Sequence, residues 1–183
     1  MSLFVKEPSI CGLFLLKNFC ADDLRGRFLK IHQANQLPEE IANLHFRETF
    51  ISTSQKNVLR GMHFQLPPHA VEKLVTVIRG NVLDVIFDMR KQSPTFGKIF
   101  SIYLGDNSDL RSLFIPSGCA HGFLALEDQT EMLYQTTCEF HPASDSGFNY
   151  NSFGFNWQID EKKLILSDKD KNLKPWLPEE SVF

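Results

Sequence analysis

Apolar residues along this chain recur at every second position or in short runs, and only one stretch suggests a helix. The clearest block is Leu74 to Asp88, which reads as two strands, LVTVI and VLDVIFD. The joining Arg79-Gly80-Asn81 has turn chemistry, because Gly and Asn accept positive φ at little cost. Just before it, NVLRGMHFQLPPHAVEK holds Arg60, His63, Gln65, His69, Glu72 and Lys73 close together. Strict alternation there would put Asn57, Leu59, Gly61 and His63 on one face and Arg60 on the other. Further strand-sized runs are Cys11 to Lys17, Arg27 to His32 (with Phe28 and Lys30 sharing a face), Phe46 to Thr53 and Lys98 to Leu104. Ser112 to Pro116, His121 to Leu126 and Glu131 to Thr137 complete the set, and Tyr134 shares a face with Met132 and Thr136.

Between these runs, Asn18 to Arg25 is polar and reads as a loop, as do Arg90 to Gly97 and residues 105 to 109. Residues 33 to 44, with Pro38 and two glutamates near the start, predict a helical turn or two. Residues 141 to 156 look irregular, and the tail from 158 to 183 mixes charges with Leu164-Ile165-Leu166. Short strands at about ten-residue spacing predict an all-β fold, an antiparallel jelly-roll sandwich or barrel with a few short helices. No internal repeat or linker divides residues 1–183, which implies a single domain.

Composition narrows the function classes. A net charge of −3 offers no basic surface for nucleic acid. No apolar run is long enough to cross a bilayer, and the opening MSLFVKEPSI lacks the apolar core of a signal peptide. Cys11, Cys20, Cys119 and Cys138 are scattered, which predicts free, mostly buried thiols and a cytoplasmic location. The 17 phenylalanines suit a sandwich filled by rings.

Two chemistries compete for the polar cluster. His63, His69, Glu72 and His121 are metal-ligand types, and PSGCAH looks like the second half of a cupin metal motif. The first half is broken, since His63-Phe64-Gln65 stands where a cupin shows His-x-His. The other chemistry is metal-free acid–base work, in which a buried His with an opposing Tyr and a Lys removes and returns a proton beside a carbonyl. Plain alternatives exist for most of these residues taken singly. His69 after two prolines reads as a solvated loop residue, His32 and His141 as surface, Lys73 as a solvated strand start, Tyr134 as packing, and Asp170 as decoration of a charged tail.

Several strings, taken in order, alter that balance. NVLRGMHFQ, KLVTVIRGNVLDVIFDMRKQSPTFG, IPSGCAHGF, EMLYQTT and LSDKD together resemble the dTDP-4-dehydrorhamnose 3,5-epimerase family from about Asp23 to Asp170. The resemblance implies a cupin-type jelly roll with neither catalytic metal nor cofactor. It implies His63 as base, Asp170 as its carboxylate partner, Tyr134 as proton donor and Lys73 beside the sugar's keto oxygen. It also implies that Arg60, Gln65, His121, Asp145 and Lys169 contact the substrate, with Phe28, Lys30, Glu48 and Phe50 near nucleotide or sugar. Arg25 matches an arginine that reaches a partner subunit's site, which implies a homodimer with exchanged N-terminal strands. The expected substrate is a nucleotide-linked 4-keto-6-deoxy sugar inverted at one or both carbons flanking the ketone. Lys30 replaces a family glutamate, Glu48 and Phe50 replace glutamine and asparagine, and Glu139-Phe140 replace a tyrosine pair. These departures point to an altered substrate. The alternatives are a sugar-nucleotide-binding jelly roll without turnover and a metal-dependent cupin enzyme.

Overall fold

The computed structural model describes residues 4–183. Two antiparallel sheets face each other as a jelly roll. One carries β1 (Phe4–Lys6), β2 (Phe14–Leu16), β5 (Glu48–Ser54), β7 (Lys73–Arg79), β10 (Ser112–Ile115) and β12 (Thr130–Thr136), in the order β1-β2-β10-β7-β12-β5. The other carries β6 (Leu59–Gln65), β8 (Asn81–Asp88), β9 (Ile99–Gly105), β11 (Cys119–Ala125) and β13 (Asp145–Gly147), in the order β13-β6-β11-β8-β9. A separate two-stranded hairpin, β3 (Phe19–Asp23) with β4 (Gly26–Lys30), completes the strands.

Alternation along each strand sorts the core into layers. Val75, Val77, Leu113 and Met132 from the larger sheet meet Val82, Ile86, Leu104 and Phe123 from the smaller one. On the far side of the smaller sheet, Leu83, Val85 and Phe87 pack beneath Phe148, Phe153, Trp157 and Trp176 of the C-terminal segment. The outer face of the larger sheet, Phe14, Leu74 and Phe114, is covered by Ile41, Leu37 and Phe46. β8 is therefore buried on both faces, which is why VLDVIFD is apolar at five of its seven positions, the exceptions being Asp84 and Asp88.

The structure corrects two sequence expectations about elements, at residues 18–25 and within 141–156. Asn18 to Arg25 is not a loop, since residues 19–23 are β3, paired with β4 from Phe19↔Lys30 to Asp23↔Gly26. Ladder hydrogen bonds hold this hairpin while both faces remain largely exposed, so it carries no apolar alternation to read. The helical turn or two expected over 33–44 are present, as a 3₁₀ turn at Ala34–Gln36 and a short α1 (Glu39–Ala42), with Pro38 as the N-cap residue between them. Within the irregular 141–156 stretch, β13 adds a short edge to β6.

The cysteines are unpaired, but only Cys119 is buried, and Cys11 is exposed. Among the described residues, no helix is long and apolar enough to cross a membrane.

Candidate active site

The cavity lies between the two sheets and encloses about 260 Å³. Its walls follow from strand parity. β5 turns Glu48, Phe50 and Ser52 inward, β7 turns in Lys73, and β12 turns in Tyr134 and Thr136. From the opposite sheet come Arg60, His63 and Gln65 on β6 with His121 and Phe123 on β11.

Arg60 and His63 were expected on opposite faces, yet both line the cavity. The pairing shows why: His121 sits opposite His63, whereas Phe123, two residues on, sits opposite Arg60, three residues back. The extra residue is a β-bulge, which turns two successive side-chain positions back to one face. Leu59 and Met62 consequently point the other way, into the layer under the C-terminal segment. Gly61 makes the bulge possible. Its φ is +135°, and a Cβ there would lie 2.5 Å from Gly122 Cα.

His63 Nε2 is 2.6 Å from Asp170 Oδ1. Asp170 is only 3% exposed, so the reading of it as tail decoration is wrong. The tail returns because Ile165 pairs with Val58 and exchanges backbone bonds with Asn57 and Leu59. Leu164 and Leu166 are packed against the smaller sheet's outer layer. One step on, the Ser167 hydroxyl accepts from the Asp170 N–H (3.0 Å) and caps α2 (Asp168–Lys171). Burial opposes ionisation of Asp170, but the His63 hydrogen bond and charge, with the Ser167 hydrogen bond and the Lys169 charge, together hold the carboxyl below its usual range.

Lys73 donates to the His63 carbonyl (3.2 Å) and is not the solvated strand end that base rates suggest. Burial lowers its pKa to about 8, against the pull of the Asp145 and Asp84 carboxylates. Tyr134 faces His63's sheet from the opposite wall. Burial pushes its phenol well up, so it is a neutral O–H donor at physiological pH, with the Ser52 hydroxyl acting in the other direction. Its ring stacks flat on Phe50 (4.7 Å, 9°) and edge-on to His121 (6.3 Å). His121 Nε2 is held by both oxygens of Asp84, at 3.1 and 2.9 Å.

Asp84 was missed by the sequence reading. The available signal was a carboxylate flanked on both sides by apolar residues in a buried strand, where it must find a partner.

The other sequence candidates divide by position. Glu48 lines the cavity but spends Oε2 on the Phe140 N–H (2.8 Å). Arg60 is tied to Ser54 Oγ (3.0 Å) and the Thr53 carbonyl. Asp145 forms an ion pair with Lys169 at the cavity's edge. Arg25, Phe28 and Lys30 lie outside this chain's cavity, on the β3–β4 hairpin. Arg25 is exposed and paired with Asp23, and Lys30 bonds Gln33. His69 and His141 are not simple surface residues either. Their rings stack at 3.7 Å and 8°, and His69 Nδ1 bonds Ser144 Oγ. Among the described residues, no three His, Cys, Asp or Glu side chains are gathered as a metal site.

A carboxylate-oriented imidazole facing a neutral phenol, with a buried ammonium between sheets, can pass protons across a bound carbonyl compound. That places the protein among jelly rolls with an acid–base interior. The family model described as dTDP-4-dehydrorhamnose 3,5-epimerase matches residues 7–177. The chain is 38% identical over 184 residues to the enzyme of that name from Methanothermobacter thermautotrophicus, covering 98% of this chain and 97% of the relative. The Legionella pneumophila dTDP-6-deoxy-D-glucose-3,5-epimerase, solved with dTDP-4-keto-L-rhamnose, superposes with a TM-score of 0.84 at 34% identity, over 94% of this chain and 91% of that one. A 3'-monoepimerase from Streptomyces bikiniensis, bound to dTDP-quinovose, superposes with a TM-score of 0.81 at 26% identity, over 93% and 87%. The chain belongs to the dTDP-4-dehydrorhamnose 3,5-epimerase family, a family of isomerases.

Proposed function

We propose that this protein epimerises a dTDP-linked 4-keto-6-deoxy sugar at one or both carbons flanking the ketone, by metal-free proton transfer. The His63–Asp170 pair, facing Tyr134 across the cavity, carries this reading. Asp170 accepts a hydrogen bond from the His63 Nε2–H, which leaves the Nδ1 lone pair as the base. His63 removes the proton alpha to the ketone, and the electron pair moves onto the keto oxygen. Lys73, as a cation in a partly dry cleft, stabilises that enolate. Tyr134 protonates the same carbon from the opposite face, and the centre is inverted. No redox partner is consumed; the substrate loses one proton and gains one, and exchange with solvent then removes the proton from His63 and returns one to Tyr134.

Arg60, His121, Asp145 and Lys169 would grip the diphosphate and sugar, with Glu48 and Phe50 at the nucleotide end. Arg25, Phe28 and Lys30 lie outside their own chain's cavity, which supports their assignment to a second subunit's. This supports a homodimer in which the N-terminal β3–β4 strands are the exchanged element. Phe19, Leu24 and Phe28 are exposed on that hairpin, and the edge strand β5 exposes Ile51 on its outer face. An apolar surface of this kind fits a partner subunit. Four unpaired thiols fit a reducing, cytoplasmic setting, and residues 1–183 act as one unit.

The test is incubation with a dTDP-4-keto-6-deoxy sugar in deuterated water. Solvent deuterium at a carbon beside the ketone, with inverted product, is expected. A folded protein that leaves both carbons unlabelled would overturn the reading.

A further inference from the structure

Gln65 stands in the cavity wall where the sequence resemblance put a substrate contact, but its hydrogen bonds are already committed. Its Nε2 donates to the His69 carbonyl (3.0 Å) and the Glu139 carbonyl (3.2 Å), and Oε1 accepts from the His141 N–H (2.7 Å). Both amide protons are therefore spent on backbone. The partners also fix the amide's orientation, since a flipped group would set oxygen against two carbonyls.

These bonds join two loops, the turn at 66–69 and the segment 139–145. The joint is reinforced by the stacked His69 and His141 rings, the His69–Ser144 bond and the Leu66 N–H to the Ser144 carbonyl (2.8 Å). The second segment ends at Asp145, the Cα partner of Gln65 in the β6–β13 ladder.

We infer that Gln65 is a positioning residue, which holds the 139–145 segment so that the Asp145 carboxylate supports the Lys73 ammonium, and that it is not a substrate ligand. This rests on the epimerase reading given above. The charged and titratable groups around Lys73 are Asp145 on β13 (itself ion-paired with Lys169 on α2), Asp84 on β8 (itself paired with His121), the Cys119 thiol on β11, His63 on β6 and, across the cavity, Tyr134 on β12. Its chain neighbour Glu72 is also partly buried. Asp145 and Lys73 line the same cavity, and Asp145 closes the clamped segment and pairs with Gln65 in the β6–β13 ladder. Of the surrounding carboxylates it gives the largest support to the cation.

Gln65→Met keeps the length and removes the polar bonds, and Gln65→Leu serves if the first variant fails to fold. The expected result is a kcat reduced about tenfold or more with KM changed by less than about threefold. The alkaline limb of the rate profile should move down by about half a pH unit or more as the cation loses its support. Amide hydrogen exchange across 139–145 should quicken. A large rise in KM with kcat and the alkaline limb unchanged would make Gln65 a ligand and overturn the inference. A lower kcat with an unmoved limb, or unchanged exchange at 139–145, would overturn it too. If the parent protein epimerises nothing, the epimerase reading falls, while amide exchange still judges the clamp.

Discussion

At the residue scale the proposed mechanism separates proton removal from proton return. His63→Asn should cut deuterium incorporation beside the ketone by about 10²–10⁴-fold while leaving thermal unfolding close to the parent's. Undiminished incorporation in the folded variant would remove His63 from the role. Asp170→Asn tests the partner, since an amide still reaches the imidazole but cannot stabilise imidazolium by charge. A lower kcat at unchanged fold is expected. Lys73 supplies the pH dependence. Its pKa is lowered by burial to about 8, so the cation is present below that pH and lost as pH rises through it. Activity should fall along an alkaline limb near pH 8, and Lys73→Arg, if it turns over at all, should lack that limb. The same depression from 10.5 means that the unfolded chain holds more protons between about 8 and 10.5. Lys73 therefore contributes rising, not falling, stability across that window. His63 and Lys73 were legible as chemistry because polar groups crowd a strand entry. Their burial and Asp170's return were not, because those depend on Ile165 pairing with Val58 more than a hundred positions away.

At the element scale, the β6 bulge brings Arg60 and His63 to one cavity. The strand itself was readable from alternation, but the bulge reversed the expected facing of Arg60, because parity assumes one residue opposite one residue. The string Arg60-Gly61 held the only hint, a glycine inside a strand pattern. Gly61→Ala is expected to destabilise the fold by roughly 2 kcal/mol or more, since positive φ and a backbone contact at 2.5 Å act together. Gly97→Ala is the control. Its φ is +73° but a Cβ there meets nothing within 4 Å, so about 1 kcal/mol is expected. Chemical denaturation of the two variants checks the ranking, and equal losses would show that the close approach to Gly122 costs nothing. The β3 strand was illegible for the opposite reason. FCADD buries almost nothing, so its pairing leaves no trace in the apolar pattern.

At the scale of the whole molecule, the body and the β3–β4 hairpin have different tasks. The hairpin is tethered to the body through the Arg27–Asp106 ion pair, and Asp106 is also held by Arg111 and the Gly80 N–H. Burial raises the Asp106 carboxyl's pKa, but these partners together hold it below its usual range, so the tether keeps its charge at neutral pH. Beyond that anchor, Arg25 projects into solvent with only Asp23 beside it. If each hairpin completes a partner's cavity, Arg25→Ala and His63→Asn damage the same site from different chains. Each variant alone should then be impaired. Mixed and reassembled, half the dimers carry one chain of each kind. In such a dimer one cavity receives both lesions and the other receives neither. About a quarter of all cavities should thus recover, as the two-fold exchange of elements requires. The measurement is deuterium incorporation by the remixed pair against each variant unmixed. Activity no greater than the sum of the separate variants would mean that Arg25 serves its own chain or none, and the hairpin would lose its part in catalysis.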